Sequence, residues 1–170
     1  QLALDYDLTI RGTSDIHDIV DWQYRIPSGG HRPVTLVFAR EKNEKSLKKA
    51  LLNGQTVVWF NKKLIGKPDY LIPLMNSSIK VKSANYVNNT TIAHVVMSNN
   101  SDAPYTLRNQ SNYDFYNATN LITIPPHGTT IIDVRTITKK RKFDLEFEVL
   151  NALIEPDTHP IFRIVVRPKQ

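Results

Sequence analysis

The feature that most constrains the fold is a change in hydrophobic period near residue 78. From Ser78 onward the helical period is absent, and short runs alternate apolar with polar residues. The clearest run is 143–149, where Phe, Leu, Phe and Val alternate with acidic residues, as in a strand with one buried face. About seven or eight such runs, separated by turn sequences such as Asn99–Asp102 and Pro125–Gly128, predict an antiparallel Ig-like β-sandwich. The predicted strands begin at Ile79 and continue at 92–97, 105–107, 113–116, 121–124, 129–134, 143–149 and 161–166.

Residues before this change mix helix and strand signals. Val34–Phe38 and Thr56–Phe60 are continuous apolar runs, which are typical of strands buried on both faces of a parallel sheet. Between them, residues 43–53 have an apolar stripe at helical spacing, with Asn43 or Ser46 as the N-cap and Gly54 at the end. Residues 8–10 suggest a further short strand, and residues 61–77 either a short helix or a packed connector. The fold class is therefore α+β, with domains at 1–75 and 76–170.

Composition narrows the chemistry. The chain has 170 residues, no cysteine and a formal net charge of +6. The absence of cysteine excludes disulfides, zinc–thiolate sites and thiol nucleophiles. The basic balance is compatible with anionic partners, but solvated surface cations are the preferred explanation. No apolar run approaches the length of a membrane span.

The segment Arg11–His17 holds the most informative polar pair. Asp15 and His17 are two residues apart, and in an extended backbone such residues project to the same side. A carboxylate and an imidazole that converge in this way suit zinc, manganese or iron. The alternative is a helix cap at Asp15 or Ser14 with His17 on the surface.

The wider context of this pair resembles the last metal-binding motif of the polymerase and histidinol phosphatase (PHP) family of phosphoesterases. The sequence Leu8–His17 is similar to the family's strand that ends in Ser-Asp-x-His. The similarity continues through Pro33–Phe38 and the helix, whose end reads Ala50-Leu-Leu-Asn-Gly-Gln-Thr56 where the family has A-L-x-x-G-R-T. Gln55 in place of arginine and Asp18 in place of glycine depart from that pattern. The second half is similar to the sandwich appended to PHP proteins of Bacteroidetes-like organisms.

This resemblance implies the end of a distorted (β/α) PHP barrel, strand–helix–strand, followed by the sandwich. It implies a parent enzyme that hydrolyses phosphate mono- or diesters of a phosphorylated small molecule with divalent zinc, manganese or iron. Asp15 and His17 are the metal ligands that carry over, and the family's other motifs would lie upstream of Gln1, in the rest of the catalytic barrel. The 170 residues alone are expected to be inactive and to bind no stable metal cluster, because two ligands cannot hold one.

A second candidate site is Ser28–Arg32. Its glycines could bring backbone N–H groups to a phosphate, with Arg32 as a bidentate ligand and His31 assisting. The alternative is an ordinary glycine turn with a surface histidine. Trp22, Tyr24 and Trp59 either line a substrate pocket or fill the core.

Two further function classes stay open. In the first, the sandwich is a non-catalytic binding or structural module that presents an exposed aromatic cluster from Tyr105, Tyr113, Phe115 and Tyr116. In the second, which ranks last, the basic surface binds nucleic acid through segments such as Lys139–Lys142. We expect that run of cations to form an exposed loop.

Location and assembly are expectations only. A periplasmic or secreted location is expected, with a cytoplasmic one as the alternative. If the strands at 34–38 and 56–60 lack their barrel partners, their apolar surface favours dimerisation.

Overall fold

The computed structural model describes residues 2–169, which form two compact units. The first unit comprises residues up to Leu71 together with Ala152–Thr158, and the second comprises Ile72–Asn151 and His159 onward. The chain therefore leaves the second unit and returns to it.

The first unit contains a four-stranded sheet in the order β1-β2-β3-β10. Its strands are β1 (Val34–Val37), β2 (Thr56–Phe60), β3 (Lys63–Gly66) and β10 (Ala152–Leu153). Its helices are α1 (Leu2–Asp5), α2 (Val20–Tyr24) and α3 (Glu44–Leu52), with a 3₁₀ turn at Ile26–Ser28. Helix α4 (Pro68–Ser78) follows β3.

Helix α3 forms for the reasons that the sequence suggested. The Asn43 side chain accepts a hydrogen bond from the Ser46 amide at 2.8 Å, so Asn43 and not Ser46 is the N-cap. Gly54 adopts φ +66° directly after the C-cap, as predicted. Ala50 is buried, and the exposed lysines lie off the apolar stripe.

Three predictions for this half were wrong. Strands β1 and β2 pair antiparallel, Val34 with Trp59, so they form no parallel α/β unit. Every residue of β1 is only half-buried, and residues 8–10 form no strand. Only the short β10 lies parallel to its neighbour β3. An end of a PHP barrel is not evident in this arrangement.

The second unit is an antiparallel sandwich of four plus three strands, as predicted. One sheet has the order β11-β9-β6-β7 and the other β4-β5-β8, which is the strand count of an Ig-like domain. The strands are β4 (Ile79–Tyr86), β5 (Ile92–Asn99), β6 (Tyr105–Asn109), β7 (Leu121–Ile124), β8 (Thr129–Arg135), β9 (Phe143–Val149) and β11 (Ile161–Val166). The predicted strand at 113–116 was wrong, because only Phe115 bridges to Val134.

The sandwich core consists of the inward-facing residues of both sheets. All four apolar residues of β9 are buried, and the burial pattern of β5 alternates along its whole length. The rings of Phe115 and Phe147 lie 6.2 Å apart within this core. This alternation is what the period-two pattern of the sequence required.

Candidate functional site

The segment that carries the predicted ligands lies against the first sheet without being a strand. Residues 8–17 have no regular secondary structure. The Thr56 hydroxyl donates to the carbonyl of Ile10 at 2.7 Å. The Thr35 hydroxyl accepts from the Gly12 amide at 3.0 Å and donates to the Gly12 carbonyl at 3.1 Å. Side chains of β1 and β2 therefore satisfy backbone groups that strand pairing would otherwise satisfy.

Asp15 and His17 lie close together at the end of this segment. The Asp15 Oδ1 and His17 Nε2 atoms are 3.5 Å apart, and the side chains are 94% and 86% exposed. The backbone conformation that brings them together differs from the predicted extended one, because Asp15 has φ +38°. The two donors converge nonetheless and are open to solvent.

The second predicted pair lies beside β2. His31 stacks on Trp59 with ring centroids 3.9 Å apart, and its Nδ1 donates to the Arg32 carbonyl at 2.7 Å. A neutral imidazole that donates through Nδ1 keeps Nε2 as an acceptor or ligand. Arg32 itself is exposed. The turn therefore fixes the orientation of the His31 ring and leaves the guanidinium in solvent.

Aromatic side chains connect the two predicted segments. The Tyr24 hydroxyl donates to the Ser14 carbonyl at 2.8 Å, next to Asp15. The Tyr24 ring meets Phe60 edge-on at 6.1 Å, and Phe60 meets His31 edge-on at 6.2 Å. Ser14 thus contacts a group of aromatic rings that also includes His31. We call this group the ring cluster (Tyr24, His31, Trp59 and Phe60).

The ring cluster was only partly predicted. Tyr24 and Trp59 were candidates for either a pocket or the core, and Phe60 was seen only as a strand residue. The indole Nε1 of Trp59 is buried without a hydrogen-bond partner. Trp22, the third aromatic candidate, is 78% exposed and fills no core. The spacing along the chain gives no signal for this cluster, because its members come from α2, a turn and β2.

Asp15 and His17 form a pair of convergent donors in the first unit. Within residues 2–169, no three His, Cys, Asp or Glu side chains gather closely enough to hold a metal ion. Two donors bound at about 2.0–2.1 Å to one tetrahedral ion lie about 3.3 Å apart, close to the separation of Asp15 Oδ1 and His17 Nε2. The separation of the two atoms therefore matches that of two ligands of one tetrahedral ion.

The aromatic cluster predicted for the sandwich was wrong. Tyr105 is 0% exposed and Phe115 is also buried, because both face the core. Tyr113 is half-buried against Phe143, with ring centroids 5.2 Å apart. Tyr116 alone of the four is well exposed, and Arg135 lies over its ring. The sandwich therefore presents no aromatic platform of the predicted kind.

Two histidines of the second unit each pair with a single carboxylate. His94 Nδ1 lies 2.7 Å from Asp133, and His127 Nε2 lies 2.7 Å from Asp102. Neither pair gains a third donor among the described residues. Within residues 2–169, no helix has the length and apolar character needed to cross a membrane.

Comparison with known proteins gives a similar solved structure and a matching domain family. A solved two-domain protein from Bacteroides vulgatus, described as containing a predicted PHP-like metal-dependent phosphoesterase, is similar to the chain with a TM-score of 0.84 and 28% identity. The similarity covers 98% of this chain and 48% of that one, so the chain spans about half the length of the solved protein. No curated protein matches the chain.

The model of the Ig-like domain family DUF5001 matches residues 79–165, just over half of the chain and the whole sandwich up to its last strand. The chain therefore belongs to this family of Ig-like domains.

Proposed function

We propose that the chain is the carboxy-terminal part of a metal-dependent phosphoesterase of the PHP type, in which Asp15 and His17 supply two metal ligands. The main observation behind this proposal is the 28% identity, over 98% of the chain, to a protein described as containing a predicted PHP-like phosphoesterase. The convergence of the two donors in an exposed position supports it.

The donor types fit the proposed metals. One carboxylate and one imidazole suit zinc, manganese or iron, and the remaining ligands would come from an upstream catalytic barrel. When bound, such ions lower the pKa of a coordinated water and polarise phosphoryl oxygens. The role of Asp15 and His17 is to hold their two positions, and the hydrogen bonds of Ile10, Gly12 and Ser14 fix the segment that carries them.

Arg32 and His31 are the proposed substrate-binding residues. The exposed guanidinium of Arg32 matches the geometry of a phosphate in a bidentate contact. His31 is oriented by the Trp59 ring and by the Arg32 carbonyl. His31 belongs to the ring cluster that also touches the metal-binding segment, and Arg32 is its neighbour in the chain, which supports a shared phosphate site in the longer protein.

The core of the first unit also supports a larger domain. Among the residues that the structure describes, six apolar ones are buried in this unit and twenty in the second. The six are Ala50, Val57, Val58, Leu64, Leu71 and Ala152. Large apolar side chains that stay exposed here include Leu2, Tyr6, Leu8, Ile19, Trp22 and Leu52. A small core with so much exposed apolar surface is typical of a domain that another chain segment completes, here the upstream barrel, with a second copy as the alternative.

The test compares the longer protein with its Asp15→Ala variant and with Asp18→Ala as the matched control. Asp18 is an exposed carboxylate next to His17 that plays no part in the proposal. We expect Asp15→Ala to lose bound metal, measured by elemental analysis, and hydrolysis of an aryl phosphate, while Asp18→Ala keeps both. Full metal content and activity in Asp15→Ala would overturn the assignment. The 170 residues alone are expected to show no hydrolysis.

A non-catalytic role for the sandwich is the second candidate. The family match identifies residues 79–165 as an Ig-like domain, and none of the four proposed site residues lies within them. We propose that this domain serves binding or attachment while the first unit contributes to catalysis. Substitution of an exposed sandwich residue, such as Tyr116→Ala, should then leave metal binding by the longer protein intact.

A further inference from the structure

The loop between β8 and β9 holds an isoleucine in an unfavourable backbone conformation. Ile137 has φ +60°, and the Thr138 amide donates to the Thr136 carbonyl at 2.6 Å, which closes a three-residue turn around it. A turn of this kind with positive φ is rare and strained, and a β-branched residue is especially disfavoured there. The Ile137 side chain is nevertheless 86% exposed. The unfavourable backbone conformation of Ile137 is thus not offset by burial of its side chain. This points to a role of the side chain in contact with another molecule.

The base of this turn is firmly held. The amide and the hydroxyl of Thr136 both donate to the Thr91 carbonyl, at 3.0 and 2.8 Å. Thr136 is buried, and the Tyr86 hydroxyl accepts from the Lys140 amide at 2.6 Å on the other side of the turn. The exposed position of Ile137 is therefore part of the fixed structure of the sandwich.

Exposed cations follow the turn in sequence. Lys139, Arg141 and Lys142 are exposed, and within residues 2–169 none of them forms an ion pair with a carboxylate. Residues 135–142 contain five Lys or Arg side chains and no acidic one, and neighbouring residues 86–92 contain no charge. The loop therefore carries a local excess of positive charge.

We propose that the loop at 135–142 docks the Ig-like domain on the surface of an anionic lipid bilayer. Ile137 inserts into the acyl boundary, and the cations bind the lipid phosphates. The observations favour this partner because one exposed apolar side chain in a basic loop suits an interface that is apolar below and anionic above. Single-stranded nucleic acid binds in part by stacking on open ring faces, but Lys139 lies over the Tyr86 ring at 5.7 Å and Lys140 over Tyr113 at 5.1 Å. Duplex DNA needs no such faces and is therefore one of the outcomes that the experiment separates.

The experiment measures co-sedimentation of the 170-residue chain with vesicles of phosphatidylglycerol and phosphatidylcholine, and with vesicles of phosphatidylcholine alone. We expect binding to the anionic vesicles only, and weaker binding as salt rises. Ile137→Asn should reduce the affinity at least about tenfold, since the apolar insertion is lost. Asparagine tolerates positive φ, so the melting temperature of this variant should stay equal or rise. This result separates lost docking from lost folding.

A charge pair and its control complete the test. Arg141→Gln with Lys142→Gln should also reduce vesicle binding, whereas Lys42→Gln with Lys45→Gln, the same charge change in the first unit, should leave it nearly unchanged. Equal binding to neutral vesicles, or wild-type binding by Ile137→Asn, would overturn the proposal. Binding to duplex DNA without binding to anionic vesicles would overturn it in favour of nucleic acid.

Discussion

Asn99 is a buried polar residue that uses its whole side chain. Its Nδ2 donates to the carbonyls of Ala103 at 2.8 Å and Pro125 at 3.1 Å. Its Oδ1 accepts from the amide of Ser101 at 2.9 Å and from the hydroxyl at 2.8 Å. The predicted turn at 99–102 therefore has a specific physical basis, because one amide side chain connects two loops of the sandwich.

Replacing Asn99 by aspartate tests this role with a change of one atom. The new carboxylate oxygen would face two carbonyl oxygens and could donate to neither. We expect the free energy of unfolding of the sandwich to fall by about 3 kcal/mol, since the two carbonyls would lose their donor and would face a buried negative charge. Asn100→Asp is the control, because Asn100 is exposed. Denaturant unfolding followed by circular dichroism measures both, and equal stabilities would show that the Asn99 network contributes little.

At the scale of elements, the turn after α2 positions the second candidate site. The Gly30 amide donates to the Arg25 carbonyl at 3.2 Å, and the Gly30 Cα lies against the backbone of residue 24. A Cβ added to Gly30 would overlap the Tyr24 carbonyl oxygen, which as a backbone atom cannot move aside cheaply. The turn that holds the His31 ring over Trp59 thus depends on glycine at this position.

We expect Gly30→Ala to destabilise the first unit more than Gly29→Ala. Gly29 has φ +81° with open space around it, so alanine there costs only about 1 kcal/mol of backbone strain. Tryptophan emission measures the effect directly, because Trp22 and Trp59 both lie in the first unit. If Gly29→Ala proved the more harmful change, close backbone approach would not be what limits this turn.

The elements also show what the sequence could predict. Strands β2, β9 and β11 begin and end at the predicted residues, since side-chain period and burial are local properties of a strand. The direction of pairing between β1 and β2 was not predictable, because an apolar run does not specify its partner. The hairpin partner β3 was missed for a related reason, as its turn uses Asn61 and Lys62 at positive φ without any glycine. The ring cluster and the hydrogen bonds that hold residues 8–17 arise from long-range contacts. The sequence therefore identified the residues of the two candidate sites, but not that both segments contact the same rings.

For the whole molecule, the two units should differ in stability. Burial of apolar side chains is the main stabilising contribution, and the first unit buries far fewer of them. We expect tryptophan emission, which reports on the first unit, to change at a lower urea concentration than the β-sheet signal in circular dichroism. A single coincident transition for both probes would show instead that the units unfold together. The Asn99→Asp variant, which weakens the second unit, should bring the two transitions closer.

The return of Ala152–Thr158 to the first unit has a consequence for synthesis on the ribosome. Strand β10 pairs with β3, and nearly the whole sandwich sequence separates these strands. The edge of the first sheet therefore stays open while β4 to β9 are translated, and it is covered only when β10 emerges. A nascent chain that stalls before residue 152 would expose the unpaired backbone groups of β3, an edge at which other chains can associate.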